Sequence, residues 1–400
     1  MIGESVVKEM KMYETFCTGC GLCHSAQNVN YYIDDKGFFK PLLKDSDLSF
    51  CSKICPASGI DYNKKSTLIW GDCTSVIYAY SSNENIRKNA SSGGVLTTLA
   101  IFLLENKLID GVLQIKVKDD DQLHNFLTFN TSKEEIIECC GSRYNISNPL
   151  ISILQIIDYS KKYLFIGKPC DVFALKNYLN IHVELKEVFR YMFTFFCAGI
   201  PSMRANMNLL KIIGVDSSNI KKIIYRGNGW PGLTTIVDKN DNIKTMPYVE
   251  SWGKILGRDV NKYCRFCTDG MGEMADISCG DAWYLNTDKS PDFSEHDGRN
   301  VVVIRNSKGN EIVQNAIRQG YIIKEPIATS EILSEMKNIQ QYQYIRKATL
   351  YSRFLAMKIC RKATPIYSRR IIRKWAKNEC FVQQLRFFLG TFKRILQKKL

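Results

Sequence analysis

Short uninterrupted apolar runs alternate with helical patterns through the middle of this 400-residue chain. Residues 108–117, 163–167 and 188–196 read as buried strands, since brief apolar runs bounded by turn residues suit strands covered on both faces. A helix is expected over 93–105, introduced by Ser91 and Ser92, and another over 172–179, after Lys168, Pro169 and Cys170. An amphipathic run ending at Ile213 follows the turn at 197–201. Strand, tight turn and helix in succession predict an open α/β sheet. Ligands of such sheets gather beyond the carboxyl ends of the strands, where Cys170 and Cys197 both fall.

The same patterns divide the chain into four sections. Residues 1–65 are cysteine-rich with little regular secondary structure expected. Residues 75–200 and 201–335 form the two parts of a mixed α/β body, and 336–400 are helical and basic. The fold class is α/β, or α+β when the ferredoxin-like first section is included.

Charge sharpens the last boundary. Residues 341–400 hold 16 Lys and Arg against one acid, Glu379, whereas the first 340 residues hold 39 of each sign. A neutral body argues against nucleic acid as partner. Beyond Pro365, Phe381, Leu385, Phe388, Phe392 and Ile395 recur at helical spacing, flanked by Lys393, Arg394, Lys398 and Lys399. A basic amphipathic helix reads as an element for an anionic membrane surface or an acidic partner, or as a helix packed on the body with a solvated cationic face.

The start of the chain lacks the apolar core of a signal peptide, and no run has the roughly 18 apolar residues needed to span a bilayer. The expected location is therefore the cytoplasm, with the inner membrane face as a peripheral site. Fifteen cysteines in a reducing compartment point to metal or redox chemistry instead of disulfides. Cys17, Cys20 and Cys23 stand at C-x2-C-x2-C spacing with glycines between, which lets thiolates wrap a [4Fe–4S] cubane. Position 27, where a ferredoxin's fourth cysteine falls, is Gln27, but Cys51 and Cys55-Pro56 match the end of a second ferredoxin motif. In two-cluster ferredoxins the cysteine before proline ligates the other motif's cluster, so Cys55 becomes the fourth ligand and Cys51 is spare. Structural zinc is the alternative.

Cys264 and Cys267 form a lone C-x2-C, readable as half a zinc site, a redox pair, buried thiols or, with Cys170 and Cys197, the four ligands of a second cubane. Cys73, Cys139, Cys140 and Cys279 read as small buried hydrophobes, and the four histidines fall in no catalytic motif. Ser91, Ser92, Gly93 and Gly94 open a helix and suit a phosphate cradle, or simply a serine cap. Gly141-Ser142-Arg143-Tyr144 and the segment 225–230 each set a cation beside glycine and an aromatic ring.

Taken in order, CTGCGLC with a later CP, SSGGVLTTL with LIDGVL, GSRY, GKPCD, FCAGIPS, YRGNGW, and CRFC with MADISCGDAW resemble the beta-subunit family of coenzyme F420 hydrogenases and dehydrogenases. That family includes a plant chlorophyll-pathway reductase. The basic tail and reduced ferredoxin region resemble members found among bacterial surface-polysaccharide genes. The resemblance implies an oxidoreductase holding FAD beside [4Fe–4S] centres, with Ser91, Ser92, Gly93, Gly94, Gly141, Ser142 and Arg143 near the flavin. It also favours the second cluster at Cys170, Cys197, Cys264 and Cys267. The family often has Lys where Arg143 stands and Thr where Lys168 stands, and lacks Cys279. A cubane moves single electrons and a flavin one or two, so the pair couples one-electron traffic to hydride chemistry. The expected electron partner is a redox protein or a reduced coenzyme. The rival reading is a noncatalytic electron-carrier or scaffold subunit.

Overall fold

The computed structural model describes residues 4–59 and 68–397. Its first section is more regular than the sequence suggests. Helices α1 (Glu4–Phe16), α2 (Leu22–Gln27) and α3 (Asp45–Ile54) surround a hairpin of β1 (Tyr31–Ile33) and β2 (Phe39–Pro41). α1 forms because Met12, Tyr13 and Phe16 fall on one helical face and are buried. Each such side chain contributes roughly 1.5–3 kcal/mol. The cysteine spacing that dominates this stretch in the sequence masks that apolar stripe.

The body follows as β3 (Ser75–Ser81), α4 (Glu84–Asn89), α5 (Val95–Glu105), β4 (Gly111–Val117), β5 (Asn125–Asn130), α6 (Lys133–Glu138), α7 (Ile153–Ile156), β6 (Tyr163–Gly167), α8 (Pro169–Ile181), β7 (Tyr191–Phe195) and α9 (Met203–Ile213). Three strands, β8 (Ile220–Ile224), β9 (Leu233–Asp238) and β10 (Ile243–Pro247), make a small antiparallel sheet. Then come β11 (Ile277–Asp281), β12 (Asn300–Ile304), α10 (Ser307–Arg318) and β13 (Ile322–Lys324), and finally α11 (Thr329–Ile339), α12 (Gln341–Ala348), α13 (Leu350–Ile359), α14 (Arg369–Ala376) and α15 (Phe381–Leu396).

The main sheet has eight strands in the order β13-β3-β12-β11-β7-β6-β4-β5. Its centre is parallel: β4 pairs β6, β6 pairs β7, and β7 pairs β11, while the outer pairings are antiparallel. Tyr163–Gly167 is buried at every position, as a doubly covered parallel strand must be. α5 starts at Val95 because Gly94 holds a left-handed φ of 74°, which ends the preceding turn at low cost only for glycine. α5 and α10 share one apolar core with the sheet, and α8 anchors another. The parallel centre brings the carboxyl ends of β6, β7 and β11 to one edge. That edge carries the site.

Candidate redox site

The thiols of Cys17, Cys20, Cys23 and Cys55 act electrostatically on one another, so the fold gathers all four from the loop before α2, from α2, and from the end of α3. Backbone N–H groups approach the sulfurs: Gly19 donates to Cys17 at 3.3 Å, Leu22 to Cys20, and Ala57 and Ser58 to Cys55. Gly19 and Gly21 sit at φ 75° and 93°, and a Cβ on Gly21 would lie 2.6 Å from the Ile151 nitrogen, so this loop is built for close approach. Burial, then the neighbouring Cys23, pushes Cys17 up to about 12. Cys23 is drawn below its ordinary range by a hydrogen bond from Cys51, with the Tyr31 hydroxyl also in contact at 2.7 Å. Cys51, spare in the sequence, is thus a neighbour of the set.

The second set forms where sequence spacing alone left it open. Lys168 ends the β6 turn and α8 opens on Pro169 and Cys170; Cys197 follows the neighbouring parallel strand β7. Cys264 and Cys267 join from the loop before β11, and each of the four acts on at least one other member. Ile200 N–H donates to Cys264 at 3.3 Å, and Gly199 N–H to Cys197. Burial, then Cys197 and Cys267, pushes Cys264 up to about 12. The two sets share one apolar cluster, in which Phe16 stacks edge-on against Phe266 at 5.7 Å, and Asn261 donates to the Cys17 carbonyl at 2.9 Å.

Part of the basic tail covers this second set. On α12, Arg346 and Gln343 both donate to the Cys197 carbonyl at 3.1 Å. Burial opposes the Arg346 charge, yet Cys267, Cys197 and Cys264 hold it above its ordinary range. Lys347 pairs with Glu273 at 2.6 Å, both buried. The stripe on α15 divides: Ile395 is buried, Phe388 and Phe392 are half-buried, and Phe381 and Leu385 face solvent with Val382, Leu389 and Leu396. Lys398 and Lys399 lie outside the described residues. No described helix is long and apolar enough to cross a membrane.

A cavity of about 260 Å³ opens at the carboxyl ends of β6, β7 and β11. Ser91, Ser92, Gly94, Gly141, Ser142 and Arg143 line it, and Gly93 does not. Gly93 lies behind the wall, where a Cβ would come within 2.9 Å of the Asn300 nitrogen and the Ala79 carbonyl. Its role is to let α5 meet β3 and β12. Ser91 accepts from the Ser142 N–H at 2.7 Å, which ties the two predicted loops together. All three guanidinium nitrogens of Arg143 bond to oxygens, of Asn125, Ile223 and Gln122. It pins three segments, and among the described residues no ion pair joins this half-buried cation to a carboxylate.

Several further residues complete the wall. Lys168 bonds Asp171 at 2.8 Å and Ser147 at 2.9 Å, and burial, countered by Asp171, leaves it above its ordinary range. Arg226, the cation set beside glycine and an aromatic ring in the segment 225–230, is gripped by Asp281 and stacks on Tyr248. Tyr248 and Trp252 come from a wide π-helical turn, a feature frequent at functional sites. Cys139, Cys140 and Cys279 line the cavity as well as being buried or half-buried. Cys197 belongs both to this wall and to the second thiol set.

Among the described residues no three His, Cys, Asp or Glu side chains close on a point suited to one metal ion. A cubane is held by four thiolates around a larger volume, and a backbone N–H donates to a sulfur in each set. The cavity offers what a phosphorylated planar cofactor needs, namely apolar and aromatic walls, hydroxyls, and buried cations at a strand-to-helix turn.

A parallel-centred sheet with a cavity at its carboxyl edge and two buried or half-buried thiol sets beside it is an α/β architecture suited to redox chemistry. The chain belongs to the coenzyme F420 hydrogenase/dehydrogenase beta-subunit family: the model of the family's N-terminal part matches residues 76–155, and that of its C-terminal part residues 160–330. It is 28% identical over 254 residues to the beta subunit of F420-dependent formate dehydrogenase from Methanocaldococcus jannaschii, covering 62% of this chain and 60% of that one. It is 26% identical to the beta subunit of coenzyme F420 hydrogenase from Methanococcus voltae, over 63% of this chain and 84% of the relative. The 7-hydroxymethyl chlorophyll a reductase of Oryza sativa is 22% identical over 60% of this chain and 49% of its own length. These relatives are oxidoreductases or their subunits. A chain of the F420-reducing [NiFe] hydrogenase complex from Methanosarcina barkeri shares the fold, with a TM-score of 0.50 and 23% identity over 70% of this chain and 93% of that one.

Proposed function

We propose that this protein is an iron–sulfur flavoprotein oxidoreductase. One [4Fe–4S] cluster is held by Cys17, Cys20, Cys23 and Cys55, a second by Cys170, Cys197, Cys264 and Cys267, and FAD binds in the cavity between α5 and the carboxyl ends of β6, β7 and β11. The observation that carries this reading is the double membership of Cys197, in the second thiol set and in the cavity wall. Clusters and flavin together supply exchange between single electrons and electron pairs. The chain's own part is to hold them dry and close: the N–H groups of Gly19, Leu22, Ala57, Ser58, Gly199 and Ile200 favour thiolates, Ser91 and Ser142 brace the cavity wall, and Arg143 and Arg226 bring positive charge to it.

The electron partner in this reading is a redox protein or a reduced coenzyme. The exposed Phe381, Val382, Leu385 and Leu389 beside Arg386 and Lys393 support α15 as a contact for an anionic membrane, which would put the protein at the inner face. Because α12 braces the second thiol set, Phe381→Asp with Leu385→Asp is a cleaner test of that contact than removing the tail. Loss of binding to phosphatidylglycerol vesicles is expected, and unchanged binding ends the membrane reading.

For the cofactors, a visible spectrum of anaerobically purified protein decides. Flavin bands near about 370 and 450 nm above broad cluster absorption are expected, with FAD released on denaturation. Cluster absorption without flavin would leave an electron carrier in place of an enzyme.

A further inference from the structure

A second concavity, about 1040 Å³ in volume, runs past the end of α1, with Thr15 in its wall two residues before Cys17. Nine Lys and Arg side chains line it against four Asp and Glu. Three of those four carboxylates are engaged within the fold. Glu14 accepts from the Tyr32 hydroxyl, Asp34 from the Lys36 and Phe38 amides at 3.0 and 2.8 Å, and Asp259 from Ser202 and Arg204 at 2.8 Å. On the cationic side, among the described residues, no ion pair joins Lys36, Arg258, Lys262, Arg265 or Arg394 to a carboxylate. Burial, then Arg265 and Arg258, pushes the Arg394 guanidinium below its ordinary range. An excess of like charge crowded in a groove disfavours the free protein and favours an anionic occupant.

The distribution of the cations indicates what kind of occupant. They come from separate stretches: Lys11 on α1, Lys36 in the β1–β2 turn, Arg204 on α9, Arg258 and Lys262 in the loop before β11, and Arg394 on α15. Lys11, Arg204, Arg258 and Arg394 face solvent. Nine cations around one groove carry more positive charge than one compact anion neutralises, whereas a protein surface studded with carboxylates matches it. The groove also lies against the first thiol set. Lys40 in its wall acts on Cys17 and reaches toward the Thr15 carbonyl at 3.5 Å, and Lys262 sits over the Phe16 ring at 5.7 Å.

We propose that this groove docks an acidic electron-carrier protein against the Cys17, Cys20, Cys23 and Cys55 set. The choice of an electron carrier rests on the iron–sulfur reading of those thiols; the choice of an acidic one rests on the groove alone.

The test titrates the full anaerobic protein with an acidic ferredoxin at increasing NaCl, for the wild type and for Lys36→Glu/Arg258→Glu/Arg394→Glu. Affinity of the wild type is expected to weaken about tenfold between about 50 and 300 mM salt, as a charge-steered contact requires. The variant is expected to lose about tenfold at low salt while keeping wild-type iron content. Should the triple reversal disturb folding, seen as lost iron, the milder Lys36→Gln/Arg258→Gln pair carries the comparison with a smaller loss. Absent or salt-independent binding of the wild type overturns the proposal, as does unchanged affinity in an iron-loaded variant. Binding of the wild type but not the variant to phosphatidylglycerol vesicles, with no ferredoxin binding, also overturns it and gives the cations to a membrane. Salt-dependent ferredoxin binding by a chain without iron keeps the docking surface and removes the iron–sulfur reading instead.

Discussion

Arg226 holds Asp281 through two hydrogen bonds of 2.9 and 3.0 Å, joining a loop after β8 to the carboxyl end of β11 across the cavity wall. Trp230 Nε1 donates to the same carboxylate at 2.8 Å, and the guanidinium lies 4.5 Å from the Tyr248 ring centre. Arg226 is 4% exposed and Asp281 20%. Removing one partner from a pair so buried leaves an uncompensated charge, a loss of about 3–5 kcal/mol. Asp281→Asn should therefore lower the thermal midpoint and reduce bound flavin. A variant with wild-type melting and full flavin content would show that the pair braces neither the fold nor the cavity.

In the proposed first cluster, Cys51 on α3 and Cys55 at its end are the two candidates for the fourth ligand. Cys55 acts on Cys17 and Cys23 and takes amide hydrogen bonds from Ala57 and Ser58, whereas Cys51 hydrogen-bonds Cys23 as a neutral neighbour would. Cys55→Ser should remove about four irons per chain and Cys51→Ser none, by iron and sulfide analysis of anaerobic protein. The reverse pattern would exchange their roles.

Arg346 ties the tail to the second thiol set. Its replacement by Ala removes the hydrogen bond to the Cys197 carbonyl and a buried positive charge facing Cys267, Cys197 and Cys264. Hydrogen bonds from charged donors contribute roughly 1.5–3 kcal/mol. Arg346→Ala should lose iron from the second set on exposure to a chelator at least tenfold faster, leaving the first set intact. Equal rates for the two proteins would make α12 a bystander.

Cys139, in the wall of the cavity and outside both proposed cluster sets, offers a pH test. Burial, partly countered by Lys116, pushes its thiol up to about 12. A folded-state value raised above the unfolded one near 9 means its contribution to stability is complete below that pH. It is lost as pH rises from about 9 to 12. At pH 8.5 iodoacetamide should modify exposed Cys380 well before Cys139. Peptide mapping that finds Cys139 modified first would contradict this burial.

The strands were legible where they are apolar throughout. β6 spans Tyr163–Gly167 as the residues suggest, whereas β4 and β7 are shorter than the runs 108–117 and 188–196 because pairing with their neighbours starts only at Gly111 and Tyr191. Cys17, Cys20 and Cys23 stand out in the sequence because their spacing is local, whereas Cys55 reaches them only through the fold of α3. What the sequence hides is tertiary: Arg226 and Asp281 stand 55 residues apart, and neither belongs to a motif for a buried ion pair. Arg346 is hidden differently, since one arginine in a basic tail reads as solvated until α12 is seen lying over Cys197. Gly93 shows the opposite error. Its glycine looks like part of a phosphate cradle, but the need for it comes from the backbone of β3 and β12 behind the wall.

A reductive titration of the anaerobically purified wild-type protein tests the central claim most directly. Two cubanes take one electron each and one flavin takes two, so the account predicts about four electrons per chain, with cluster and flavin absorbances bleaching in separable phases. Uptake of about three electrons would remove one cluster. Uptake of about two, with no flavin phase, would contradict the flavoprotein assignment itself.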